Sequence, residues 1–251
     1  MAALSLAFRY KTLVACFCLS AVGTGCKVYM PTLPYVPLVS ERGQAEAGAS
    51  VQALGQVAAY AAYSPVKHLL ITASAAQNLG SSGDWSSKST QGDVGLGCYR
   101  AFGAKGHWYV GALANYGLAH NFSRYSVPNL PAKEYQARYS RYQGQLCLAR
   151  QGRTAALGVA TRLTSLRFTT LTFNQAPMQE PVADLYGDWS LFARVGKGAF
   201  QGQFQVGGST PLNAFFQSDS HPSSTATLMG LSVLIRPHLL GHRAASAQEL
   251  E

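Results

Sequence analysis

The chain has 251 residues, of which 47% are hydrophobic and only 12% charged, and its formal net charge is +9. That charged fraction is about half of what a soluble domain usually carries, and the length fits one domain with terminal extensions. The basic residues are scattered rather than clustered, which argues against a nucleic-acid partner. After the N-terminus no apolar run approaches the ~20 residues of a membrane helix.

The N-terminus reads as an export signal. Arg9 and Lys11 form a basic start, and 12–22 is an apolar core too short to span a bilayer as a helix. Gly23-Thr24-Gly25 then places small residues directly before Cys26, as in bacterial lipoprotein signals, where that cysteine is acylated and becomes the first residue. The position three before the cysteine is Gly23 rather than the usual Leu, so ordinary cleavage near Gly23 or Gly25 stays open. Residues 1–25 are thus assigned as a signal peptide and Cys26 as a candidate lipidation site. Without Arg9 and Lys11 the exported part keeps a charge of +7, suited to anionic lipid or polysaccharide, or simply to a solvated surface.

Residues 26–44 carry three prolines and no sustained period, which predicts an extended periplasmic lead-in or a segment tucked into a barrel mouth. From residue 45 the chain alternates. Strands are predicted at 45–54, 56–63, 67–77, 90–102, 106–117, 134–149, 154–167, 184–195, 199–208 and 226–236. A period of two puts successive side chains on opposite faces. The clearest hairpin is 184–208. Leu185, Gly187, Trp189, Leu191, Ala193 and Val195 share one face, opposite Asp184, Asp188, Ser190 and Arg194. Across Gly196-Lys197-Gly198 the pattern resumes, with Phe200, Gly202, Phe204 and Val206 against Gln201, Gln203 and Gln205. The two glycines supply the positive φ that a tight hairpin turn requires.

Tight turns at 63–67, 102–106, 150–154 and 195–199 alternate with long polar connections at 78–89, 118–133, 168–183 and 209–225. Outer-membrane barrels have this asymmetry, with short turns on the periplasmic side and long loops outside. The expected fold is therefore all-β: an up-and-down antiparallel transmembrane barrel of about ten strands, within a range of eight to twelve, over residues 45–237. A tail follows at 238–251. An even strand number puts both termini at the short-turn end. A sheet in lipid must close, because lipid cannot satisfy an open edge.

Here the chain resembles the uncharacterised outer-membrane β-barrel proteins of Bacteroidota, many of which begin with a lipoprotein-type signal. The residues that carry the resemblance are Cys26, the Tyr35-Val36-Pro37 segment, Arg42-Gly43-Gln44 before the first strand, and the run from Ala61 to Leu69. The resemblance implies a barrel in the bacterial outer membrane and brings no catalytic residues. The chain departs from many such barrels at its last strand, which ends at Ile235-Arg236-Pro237 rather than in an aromatic residue.

The polar faces place Glu46, Asp93, Asp184 and Asp188 with Arg141, Arg162 and Arg194 in the lumen. These charges read either as a solute-selecting constriction or, more in keeping with so narrow a barrel, as paired charges that fill it. Cys98 and Cys147 fall on opposite faces by parity, which argues against a disulfide. The histidines are His68, His107, His120, His221, His238 and His242, without metal-ligand spacing. Ser218-Asp219-Ser220-His221 offers triad residue types, but sequence neighbours rarely reach triad geometry. Trp85, Trp108, Tyr109, Tyr116, Tyr125, Tyr135, Tyr139, Trp189 and Phe200 are expected in interfacial girdles. Phe122, Tyr125, Phe173, Phe215 and Phe216 are expected in the long loops, reachable by an extracellular ligand or folded over the mouth.

The sequence thus predicts an outer-membrane barrel, non-enzymatic and without cofactors, with a structural, adhesive or porin-like small-solute role and outer-membrane lipid as its surroundings. A lipid-tethered, lipocalin-like soluble barrel is the alternative, with a membrane-embedded enzyme behind it. Parity cannot decide which face is inside. With the apolar face out, Leu191→Arg should impair insertion and Gln203→Arg should be tolerated.

Overall fold

The computed structural model describes residues 29–78, 80–82, 85–103, 107–126, 131–178, 184–196, 198–212 and 225–240. The signal segment, Cys26, Lys197, the 213–224 stretch with Phe215, Phe216 and His221, and the tail with His242 lie outside these residues. So do the side chains of Trp85 and Tyr125.

Ten antiparallel strands close into a barrel. They are β1 Ala45–Gln52, β2 Gln56–Tyr63, β3 Leu69–Asn78, β4 Trp85–Phe102, β5 Trp108–Tyr125, β6 Lys133–Gln151, β7 Ala155–Phe173, β8 Asp184–Val195, β9 Phe200–Pro211 and β10 Ala226–Ile235. Each strand pairs with its sequence neighbour. The first and last pair as well, from Ala47 opposite Ile235 to Gln52 opposite Gly230, so no edge is left open. Ten strands at about 4.8 Å spacing and about 40° tilt give a wall of roughly 10 Å radius.

The strands sit where the alternation places them, but β4, β5 and β7 run at least five residues longer than predicted, and β6 and β9 a few residues longer. β4, β5, β6 and β7 run for 18, 18, 19 and 19 residues. The alternation continues through stretches predicted as loops: Leu118 and His120 face out while Ala119, Asn121 and Ser123 face in. Polar composition hid the continuing period, because above an apolar belt neither face of a strand needs to be greasy. At ~3.3 Å per residue these strands reach roughly 60 Å and stand well above β1–β3 and β10. The barrel thus has a tall wall and a short wall. On the short wall, β1 turns into β2 through a single 3-10 turn, Ala53–Gly55.

The apolar face points outward. Val51, Val94, Leu157, Leu191, Phe204 and Leu231 are all exposed on the outer wall, whereas Gln203, Gln205 and Ser190 are buried inside. A lipocalin-like barrel needs the reverse, so that alternative is overturned. Aromatic side chains stand on the belt at two levels. Tyr63, Phe102, Trp108 and Phe200 project near the short-turn end, and Tyr116, Tyr142 and Trp189 project higher up. Tyr116 and Tyr142 touch, with ring centroids 5.2 Å apart. Eight residues separate Trp108 from Tyr116, which is roughly 20 Å along the axis for tilted strands and close to the ~25 Å apolar band of outer-membrane barrels. Tyr109 and Tyr139, expected in these girdles, instead point inward and are buried. They share the parity of Gly111 and Arg141.

Leu191→Arg puts a charge into the belt, at a cost of about 2–4 kcal/mol near mid-depth. The structure changes the expectation for Gln203→Arg. Gln203 Oε1 accepts from Arg194 Nε at 3.0 Å, and its Nε2 donates to Gln205. A guanidinium there removes that acceptor and sets two cations side by side. Both variants should therefore fold less well than the parent, read as the fraction migrating as compact barrel in unheated SDS gels; a wild-type fraction for Leu191→Arg would show that the outer face is not in lipid.

Candidate functional site

The lumen is the candidate site, and the chain's own N-terminal segment occupies it. Of residues 27–44, expected below the barrel or at its mouth, 29–39 run through the interior instead. Tyr29, Met30, Thr32, Val36, Leu38 and Val39 are all buried there. The turn before β1 is held at the short-turn end, where the Gly43 N–H donates to Ser64 O at 2.7 Å and Gln44 Oε1 accepts from the Ser40 N–H. From there the segment rises without helix or strand structure.

Its carbonyls meet a ladder of inward side chains. Arg236 Nη2 donates to Leu38 O at 3.1 Å and Arg194 Nη2 to Val36 O at 2.7 Å. Gln145 Nε2 donates to Tyr35 O at 2.7 Å and Gln205 Nε2 to Pro34 O at 3.0 Å. Higher still, Arg162 Nη2 reaches Thr32 O and Gln91 Nε2 reaches Met30 O at 2.7 Å. The Leu33 N–H is taken by Gln52 Oε1 at 3.0 Å. A buried peptide must satisfy its polar groups, and Pro31, Pro34 and Pro37 shorten the list of donors by having no N–H. The prolines recur at every third residue, the repeat of a polyproline helix, which has no internal hydrogen bonds and leaves every carbonyl free for other partners. That spacing and the inward Gln and Arg residues were readable signals that period-two reasoning passed over.

The luminal charges pair up around this segment. At the short-turn end Glu46 Oε2 meets Arg194 Nη1 at 2.7 Å and Arg236 Nε at 3.2 Å. In the middle Asp188 Oδ2 meets Arg162 Nε at 2.7 Å, with Thr164 Oγ1 also turned to it. Higher up Arg141 grips Asp93 through Nε and Nη2 and also donates to Gln91. Asp184 stands further up, near the top of β8 on the inward parity of Tyr186 and Asp188. The charges predicted for the lumen therefore face it, and Glu46, Asp93, Asp188, Arg141, Arg162 and Arg194, with Arg236, form three ion-paired levels. Arg236, which closes the lowest level, continues the inward parity of Ser232 and Leu234 but was not among the predicted charges.

Apolar contacts fill the remaining space. At the lower end Val36, Leu38 and Val39 pack with Leu70, Tyr99, Tyr109 and Phe192. Tyr35 stacks on Tyr60 with centroids 4.2 Å apart. At the upper end Tyr29 lies 4.4 Å from the Tyr186 ring and 6.1 Å from that of Tyr139. The cavity that remains beside the segment has a volume of about 50 Å³. By a comparable measure one water needs about 10–15 Å³, so the space admits a few waters and no passing solute.

The other residues singled out from the sequence stand apart from the lumen or serve structure. His68, at φ 71°, caps a turn through Nδ1 to Tyr99 O at 3.0 Å. His120 faces out and shares a hydrogen bond with Gln136 at 3.1 Å, while His238 Nδ1 lies 3.1 Å from Ala45 O. Among the described residues no three His, Cys, Asp or Glu side chains converge as a metal site. Cys98 is exposed and Cys147 buried, both as free thiols on opposite faces. Phe173 packs on Tyr135 at 4.8 Å between centroids. Ser218–His221 lies outside the described residues.

Gly117 shows how closely the interior is fitted. A Cβ on it would overlap the Asp93 carboxylate and lie 2.7 Å from Gly92 O. Gly117→Ala should therefore displace Asp93 from Arg141 and lower stability by about 1–3 kcal/mol, the usual range for overpacking. Denaturant titration in detergent checks this, and an unchanged midpoint would mean that Asp93 can move without loss.

No family model and no curated protein matches the chain. Solved structures similar to it include the translocator domain of the autotransporter NalP from Neisseria meningitidis, at 12% identity and TM-score 0.45, covering 77% of this chain and 86% of that one. An outer membrane channel from Pseudomonas putida F1 is similar at 10% identity and TM-score 0.42, covering 81% of this chain and 100% of that one.

Proposed function

We propose that this chain is a bacterial outer-membrane β-barrel with a structural or adhesive role, closed to solutes by its own N-terminal segment. One observation carries the reading: an apolar belt faces outward around a lumen whose residual cavity is about 50 Å³. A solute pore needs a continuous wet path. Here the charges that would line one are paired with each other and with the segment's carbonyls. In this reading the long-loop face meets whatever the barrel binds, the surrounding partner is lipid, no cofactor is used and no reaction is catalysed.

The reading includes acylation of Cys26, which rests on the small residues before it. Cys26→Ser should abolish fatty-acid labelling and leave an unprocessed precursor while the barrel still folds.

Fractionation combined with reconstitution tests the whole. The chain should stay with the outer membrane through a carbonate wash, and vesicles that contain it should remain as tight to small sugars and ions as empty ones. Extraction by carbonate would overturn the membrane placement. Discrete currents from the intact chain would overturn the closed lumen and restore small-solute passage.

A further inference from the structure

We infer that the lumen threads the N-terminal segment from the short-turn mouth to the long-loop mouth, so that the chain before Tyr29, with Cys26, emerges on the same side as the long loops. The inference rests on the outer-membrane reading only for which side that is. The direction of the segment comes from its contacts in order. Leu38 meets Arg236, which follows the lower end of β10, and Val36 meets Arg194, one residue from the lower end of β8. Thr32 meets Arg162 at mid-height. Met30 meets Gln91 and receives the Asn78 Nδ2 on its sulfur at 3.7 Å. Asn78 is the last residue of β3, at the long-loop end. Met30 and Pro31 also border a crevice with Ala53 and Gln56 in the upper β1–β2 turn and Ala226 at the start of β10. The segment has therefore climbed the whole short wall by residue 30.

Length agrees with this. Leu38 to Met30 at about 3.1 Å per residue spans roughly 25 Å, the height of the apolar band of an outer-membrane barrel. At mid-lumen, beside Thr32–Tyr35, the enclosed cavity is only about 50 Å³, so a second run of chain does not fit there. Three residues extended reach at most about 11 Å, which bounds the distance from Tyr29 to Cys26 by chain length alone. An acyl chain on Cys26 would then lie at the outer leaflet, and the barrel would act as a conduit that displays its own N-terminus. Because Arg162 reads the main-chain carbonyl of Thr32, the conduit tolerates a change of side chain there. Thr32→Ala should leave threading intact.

The test is a short epitope inserted after Lys27 in the full chain, compared with the same epitope after Asp219 in the last long loop and after Lys197 in a tight turn. Resistance to unfolding in cold SDS confirms folding of each. In intact cells the Lys27 epitope should bind antibody as the Asp219 epitope does, with the Lys197 epitope shielded. If the Lys27 epitope follows the Lys197 epitope instead, threading is overturned. If the Lys27 and Asp219 epitopes are both shielded while the Lys197 epitope is displayed, threading stands and the barrel's orientation in the membrane is reversed. Should the insertion prevent folding, Lys27→Cys in a Cys98→Ala background gives the same comparison with an impermeant maleimide. Set against Asp219→Cys and Lys197→Cys in the same background, labelling that follows Asp219→Cys supports threading, and labelling that follows Lys197→Cys overturns it.

Discussion

Glu46→Gln is expected to lower the unfolding free energy of the barrel by about 3–5 kcal/mol, the usual loss when one partner of a buried ion pair is removed. The Glu46 side chain is 0% exposed and bonds Arg194 at 2.7 Å, Arg236 at 3.2 Å and the Tyr35 hydroxyl at 3.2 Å. Taking away its charge leaves Arg194, itself buried, facing a second guanidinium with no anion between them. Arg236 keeps some contact with water and loses less. The segment is affected too, because Arg194 and Arg236 are the groups that hold Val36 O and Leu38 O. A urea titration followed by tryptophan fluorescence in detergent reads the effect as a shift in midpoint at constant slope. Arg194→Gln alone should cost a similar amount, and the double variant less than the two together, because the remaining charge no longer stands unpaired. Strict additivity, or a loss below about 1 kcal/mol as for exposed pairs, would mean that the lower lumen is hydrated.

The strands were legible because each of them has two unlike faces. In β8 and β9 the alternation of Trp189, Leu191 and Phe204 with Asp188, Ser190 and Gln203 leaves only one arrangement of the hairpin, and the structure has it. Which face lies inside was not legible, since parity alone is symmetric. It is settled by the lumen's need for side chains that pair or donate, and Gln and Arg do this where Leu and Val cannot. The upper ends of β4, β5 and β7 were missed for the converse reason. With Leu118 flanked by His120 and with Thr170 on the outer face, strand pairing continues but the contrast in hydropathy does not. The luminal charges were found by parity, yet their partners were not. Arg141 pairs with Asp93, 48 residues away, and Arg194 with Glu46, 148 residues away, and only barrel closure brings such positions together. The occupant of the lumen was the largest miss. Pro31, Pro34 and Pro37 read as a linker because their spacing matches neither helix nor strand.

Deleting residues 29–40 should turn a silent barrel into a conducting one. The segment fills the lumen from Leu38 to Met30, and no other described segment runs through it. Without it the donors of Arg162, Arg194, Gln145 and Gln205 face a hydrated channel, where water replaces the lost carbonyls at little net cost. The larger loss is apolar. Val36, Leu38 and Val39 are buried against Leu70, Tyr99, Tyr109 and Phe192, and each fully buried aliphatic side chain contributes about 1.5–3 kcal/mol. The variant should therefore conduct in discrete steps in a planar bilayer and unfold at distinctly lower urea than the intact chain. Its selectivity should be weak, because Arg141, Arg162, Arg194 and Arg236 are balanced by Glu46, Asp93, Asp184 and Asp188. A synthetic peptide of residues 27–40 added in trans should shut the current, since the site it enters recognises an extended backbone. Replacing Thr32 by alanine in that peptide should leave the block in place, whereas Val36→Asp, which puts a charge into the packed lower end, should abolish it. A deletion variant that folds and stays silent would show that side chains of the wall collapse into the space, and that the segment is held by the lumen without being what closes it.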